Sequence, residues 1–144
     1  SLFAAATRAQ MVERLQRLDP HAAPHWGRLD APHLLTHLID AFAIGFGERQ
    51  VEAGRGFLAS RLGRALALRL PIPRGRITAP AAFHATAPGD FAADRAQVVA
   101  AIERFAQGPD QGWGPSPIFG HLTPSQWARL HAVHLEHHLR QFGL

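Results

Sequence analysis

Apolar residues recur at helical spacing in four stretches of this 144-residue chain. In the first, Met11, Val12, Leu15 and Leu18 share a face of a segment from Thr7 to Leu18, with Thr7 as N-cap and Pro20 as stop. A second helix opens at Asp30-Ala31-Pro32, a cap followed by an early proline, and runs to about Gly47. Its apolar residues Leu34, Leu35, Leu38, Ala41, Phe42, Gly45 and Phe46 cover a broad arc, so it should be largely buried. A third main helix, from about Phe91 to Ala106, carries Val98, Val99, Ile102 and Phe105 and ends at Gly108-Pro109. Thr123-Pro124-Ser125-Gln126 then caps a fourth, which reaches about Phe142.

Between Glu48 and Asp90 glycines and prolines break the pattern, leaving one short helix within Phe57–Leu70 and otherwise ordered loop. Residues 108–123 are a second Gly/Pro-rich loop. With no alternating strand pattern, the expected class is all-α, a four-helix bundle forming a single domain over residues 1–144. The long connection from 48 to 90 can run the length of a bundle, which would let the second and third main helices lie parallel.

Composition narrows the chemistry. At 47% hydrophobic and 18% charged, the chain can build a core without staples, and disorder or collagen-like repetition is excluded. It has no Cys, so disulfides, thiolate metal sites and cysteine nucleophiles are excluded and any metal must take N or O ligands. The longest low-charge run, Ala31 to Gly47, contains His33, His37 and Asp40 and is too short and polar to span a bilayer. The start, Ser1-Leu2-Phe3-Ala4-Ala5-Ala6, is unlike a secretory signal, and a cytoplasmic protein is expected; Ser in place of Met suggests a processed or engineered start. The formal charge is +4, and all fifteen basic residues are Arg. With Lys, Tyr and Cys all absent, the strongly basic balance is mainly compositional and a weak pointer to nucleic acid.

Ten histidines are the unusual count. In the last helix, a step of about 100° per residue puts His134 and His138 about 20° to either side of Trp127, in the inward stripe. Two imidazoles one turn apart can both reach one ion at about 2.0–2.1 Å. Glu136 lies about 180° from that stripe and should face solvent, so the zincin arrangement of a glutamate beside its metal histidine does not apply. His137 is on the flank and expected to be solvated. A third ligand must come from elsewhere, and the best candidate is His37, inside the buried second helix beside His33 and Asp40. His37, His134 and His138 then make a three-histidine site with a position open to water or substrate, unless His33 or His131 closes it. His21, His25, His84 and His121 lie in loops or near helix ends and are read as surface residues.

The order Trp26-Gly27, His33-Leu34-Leu35-x-His37-Leu38, Phe119-Gly120-x-Leu122-Thr123-Pro124-x-Gln126-Trp127 and His134-x-x-His137-His138-x-x-Gln141 resembles the DinB superfamily. Within it, the chain looks like an uncharacterised domain-of-unknown-function branch. Thr78-Ala79-Pro80 and Pro88-Gly89-Asp90-Phe91 are in keeping, and the likeness spans essentially the whole chain. The resemblance implies a bundle of up-down-down-up topology and a divalent metal, zinc or nickel, held by His37, His134 and His138. It also implies kinship with transferases that use a low-molecular-weight thiol as cosubstrate, with proposed metal-dependent hydrolases, and with proteins that form homodimers.

An open three-histidine metal can activate a thiol or a water. With no strong general base in view, thiol transfer is preferred over hydrolysis. The alternative is a non-catalytic metal-binding bundle that acts through a partner or a membrane surface. Gln141 and His131 are candidates to orient substrate or bound water; Asp40 is a candidate to hold the outer nitrogen of a metal-bound imidazole, and His33 is the remaining polar neighbour. The arginine-rich crossover (Arg49, Arg55, Arg61, Arg64, Arg69, Arg74, Arg76) is read first as solvated surface. It could also grip the carboxylates of a peptide-like thiol, and Phe57–Leu70 could lie on an anionic membrane or a partner. No nucleic-acid motif accompanies it.

Overall fold

The computed structural model describes residues 1–73 and 79–144; Arg74, Arg76 and Thr78, named above, lie outside the described residues. Among those described there are five α-helices and no strand: α1 (Ala5–Gln16), α2 (Ala31–Gly45), α3 (Arg61–Ala67), α4 (Phe91–Arg104) and α5 (Pro124–Gln141). No helix is long and apolar enough to cross a membrane.

The expected caps form at α2 and α5, and α4 is capped as well. Asp30 accepts from the His33 N–H, Asp90 from the Ala93 N–H, and Thr123 with Gln126 makes a reciprocal capping box. At α1 the expected cap fails. Thr7 lies inside the first turn, and the helix starts at Ala5 behind an Ala4 cap without a side-chain bond. The cause is Leu2, which is fully buried and whose N–H donates to the Ala128 carbonyl, pulling the entry of α1 into the core. Arg8 compensates by donating to the Leu2 and Phe3 carbonyls at 2.8 and 2.9 Å.

All residues of α2 except Pro32, His33 and Ala43 are buried, which follows from its broad apolar arc. It packs against α4 and α5 and against a 3₁₀ turn at Ala81–His84, while α1 also packs against α4 and α5. Leu34, Leu38, Phe42, Ile102, Phe105, Trp127 and Leu135 meet in the shared core. The long loop before α5 closes its end: the Gly114 N–H donates to the Gly45 carbonyl, and the Gly114 carbonyl accepts from Trp127 Nε1 at 3.2 Å. A Cβ on Gly114 would lie 2.2 Å from the Ile44 carbonyl oxygen, so only glycine allows this approach. The crossover contains α3, capped by Ser60, in the stretch where one short helix is expected.

Candidate metal centre

His37 projects from the middle of α2 towards α5, where His134 and His138 stand one turn apart. His134 Nε2 is 2.9 Å from His37 Nε2 and 3.0 Å from His138 Nε2. Nitrogens bound to one ion at about 2.0–2.1 Å can be no more than about 4.2 Å apart, so these separations suit a shared ion. The three form a group that could hold a metal.

The outer nitrogens decide which way the lone pairs point. His37 Nδ1 is 3.0 Å from the Phe83 carbonyl oxygen, which can only accept, so Nδ1 carries the proton and Nε2 the inward lone pair. Gln141 Nε2 donates to the Trp26 carbonyl at 2.7 Å, which turns Gln141 Oε1 towards His138 Nδ1 at 2.9 Å. His138 therefore also aims a lone pair inward. His134 has one Nε2 proton at most and cannot satisfy both neighbours with it. A metal would satisfy all three. Burial pushes His37 down to about 4 and His138 to about 3, and burial with the neighbouring histidines holds His134 well below the usual histidine range. All three are neutral at neutral pH, the form that ligates metal.

The other candidates have different places. Asp40 does not hold a histidine. Fully buried, it accepts from Arg49 at 2.7 Å, from the Thr86 hydroxyl at 2.6 Å, and from the Ala85 and Thr86 N–H groups at 2.8 and 3.0 Å. It anchors the segment whose Phe83 carbonyl orients His37, and so positions that ligand at one remove. Gln141 orients His138 rather than substrate. His33 stays exposed, bound to its own cap Asp30 at 2.7 Å, because it sits at the outer end of α2.

His131 is a core residue. Its ring stacks on Phe42, 4.4 Å between centroids and 6° from parallel, and on Trp127 at 5.2 Å. It lies nearly a turn before His134 on α5, beside Phe42 and Gly45 rather than His37. A Cβ on Gly45 would come within 2.6 Å of its Nε2, which has no hydrogen-bond partner among the described residues. Neither His33 nor His131 completes a fourth ligand. Burial pushes His131 down to about 3 from an unfolded value near 6.5. Between those values the unfolded chain binds the proton and the folded one does not, so this residue's stabilising contribution, full above about 6.5, is lost as the pH falls. Urea titrations at several pH values should show His131→Leu flattening the decline by about 1.4 kcal/mol per pH unit in that window. Parallel declines would contradict the assignment.

Glu136 stands off the histidine cluster as expected, but it is not simply solvated: it lies 2.5 Å from Arg14 and 2.6 Å from Arg140. The Arg14 hydrogen bond leads in holding its carboxyl below the usual range. His137 packs edge-on to Trp26 and His138, at 5.9 and 5.1 Å, rather than lying free on the surface. His84, exposed as expected, nonetheless stacks on His37 at 5.1 Å. Arg49 and Arg64 are structural, Arg64 donating to the Phe119 and His121 carbonyls, whereas Arg55, Arg61 and Arg69 are exposed.

Two features of the site have little or no signature in the residue pattern. The Phe83 carbonyl is backbone and has no sequence signature. Gly27, with φ +78°, brings the chain so close to Gln141 that a Cβ there would lie 2.9 Å from its Nε2. The Trp26-Gly27 pair carried that signal, although only the fold shows what it holds.

A helical protein with three convergent, neutral imidazoles is the class that fold and site define. The chain belongs to the family described as protein of unknown function DUF1569, whose model matches residues 55–143. That match takes in α3, α4 and α5, with His134, His138 and Gln141, and begins after the helix that supplies His37. No curated protein and no solved structure matches the chain.

Proposed function

We propose that the chain is a divalent-metal protein of the DinB-like kind, holding one zinc or nickel ion through His37, His134 and His138. The observation that carries this reading is the convergence of three Nε2 atoms while Phe83 and Gln141 occupy the outer nitrogens of two rings. The packing of α1 and α2 each against both α4 and α5 supports a four-helix bundle of up-down-down-up order around that site. Bound there, a metal supplies Lewis acidity that makes a thiol or a water more acidic.

The chain's own residues favour thiol transfer. His37 and His138 are held rigidly by their outer bonds, and three protein ligands leave room for a substrate sulfur. Asp40 and Glu136 are committed to arginines and backbone, so neither carboxylate is placed to take a proton from water. A low-molecular-weight thiol cosubstrate needs no such base. Hydrolysis is the second reading, favoured by one observation: exposed His84 stacks on His37 and could accept a proton beside the site.

The deciding experiment is turnover by the zinc- or nickel-loaded protein of an aryl halide with glutathione and, separately, of an activated ester without thiol. Thiol-dependent turnover that a chelator abolishes is expected. Ester cleavage that His84→Gln suppresses would reverse the ranking. Bound metal with neither activity would make the ion structural.

A further inference from the structure

Residues 57–70 turn their apolar side outwards. Leu62 and Leu66 stand one turn apart on one face of α3, with Leu58 in the 3₁₀ turn just before the helix and Leu70 just after it. Leu58, Leu62, Leu66 and Leu70 are 42, 63, 50 and 61% exposed, and Phe57 at the start is 63% exposed. The inward side holds Gly63, Leu68 and Arg64 instead. A helix on a globular protein ordinarily shows the reverse. Five large apolar side chains exposed within fourteen residues mark a surface that meets something apolar.

The charge around the patch says what meets it. Between Glu52 and Asp90 the sequence holds Arg55, Arg61, Arg64, Arg69, Arg74 and Arg76 and no acidic residue. Arg61 at the start of α3 and Arg69 just past its end are both exposed. Arg69 and Leu70 also line a cavity of about 570 Å³ whose wall includes Arg129 and Arg140 of α5. The one carboxylate lining it, Glu136, is already paired with Arg14 and Arg140. An apolar strip edged by arginines and continued by a cationic cavity complements an apolar layer beneath anionic headgroups. A second copy of the chain would set one arginine-edged face against another, with like charges opposed.

We propose that residues 57–70 dock this protein on an anionic phospholipid surface. Leu58, Leu62, Leu66 and Leu70 enter the boundary between headgroups and acyl chains, and Arg61, Arg69, Arg129 and Arg140 face lipid phosphates. With so short a helix the attachment is reversible and weakened by salt. It does not depend on the metal centre.

Vesicle flotation of the full chain tests this, using phosphatidylcholine with about 30% phosphatidylglycerol against phosphatidylcholine alone. The chain should float with the anionic vesicles and not with the neutral ones. Leu62→Asp with Leu66→Asp should lower binding at least about tenfold, and Arg69→Glu by about tenfold or more. These positions are exposed, so the thermal transition and metal content should stay as in the parent chain and a loss cannot be ascribed to unfolding. Absence of flotation, equal flotation on neutral vesicles, or flotation indifferent to the leucine changes would each overturn the proposal. So would a dimer in sedimentation velocity that the leucine changes dissociate without any vesicle binding, because a second copy would then cover the face.

Discussion

Purified chain carrying His37→Ala or His138→Ala will hold no stoichiometric metal, whereas the parent chain binds about one divalent ion per chain. Elemental analysis after desalting, followed by zinc titration of the chelator-treated protein, measures both. The size of the effect follows from the geometry. Removing one of three imidazoles leaves two protein ligands, and His134 cannot remake the set because its Nε2 already lies between the other two, at 2.9 and 3.0 Å. Gln141→Ala should act more mildly, weakening affinity by about 10–100-fold, since it frees His138 to rotate without removing a ligand. His33→Ala, far out at the α2 cap, should leave metal content unchanged. Equal metal in the parent, His37→Ala and His138→Ala chains would remove the site assignment altogether. If Gln141→Ala bound as tightly as the parent, the orienting role of that amide would be wrong while the ligand set stood.

Asp40→Ala should destabilise the metal-free protein by about 3 kcal/mol. The carboxylate is fully buried, and its loss strands the Ala85 and Thr86 N–H groups, the Thr86 hydroxyl and the Arg49 guanidinium together. Arg49 is a third exposed and recovers part of its hydration, so the figure lies at the low end of the range for breaking a buried ion pair. Urea unfolding in chelator separates this from any loss of bound metal. Freed from Asp40, the segment around Phe83 should no longer hold His37 in place, and zinc affinity should fall as well. A change below about 1 kcal/mol would mean that the buried network is not what anchors this segment. A large change in stability with unaltered zinc affinity would instead break the link from Asp40 through Phe83 to His37.

Much of the secondary structure was legible locally. The Asp30-Ala31-Pro32 opening and the Thr123–Gln126 box are signals within four residues of chain, and each forms. The α1 start was misplaced because its cause is long-range: Leu2 bonds to Ala128 at the other end of the sequence. The short crossover helix formed where it was expected, yet its leucines face outwards, because Gly63 and Arg64 pack towards Phe57 and the loop before α5.

At the site, the His134/His138 pair was readable because helical periodicity alone puts residues four apart on one face. His37 could be proposed from its place in a buried helix, but its partner at Nδ1 could not, because that partner is a backbone carbonyl and carbonyls carry no residue identity. Asp40 and Gln141 stand out in the sequence as polar residues near the site, but their partners, Arg49 with the Ala85–Thr86 backbone and His138 with the Trp26 carbonyl, are set by the fold. His131 was misread because the wheel gives direction and not depth: it points inward like His134 but at the level of Phe42 and Gly45.

By itself, then, the amino-acid order determined an all-helical chain, the caps of α2 and α5, the absence of thiol ligands and a chelating pair of histidines, all of which depend on composition or on spacing within a few turns. Only the tertiary structure decided which histidine of α2 meets that pair, which acceptors turn the rings inward, and which arginines and leucines remain exposed. Those outcomes depend on contacts between segments up to 130 residues apart, as between Arg14 and Leu144, and no local period encodes them.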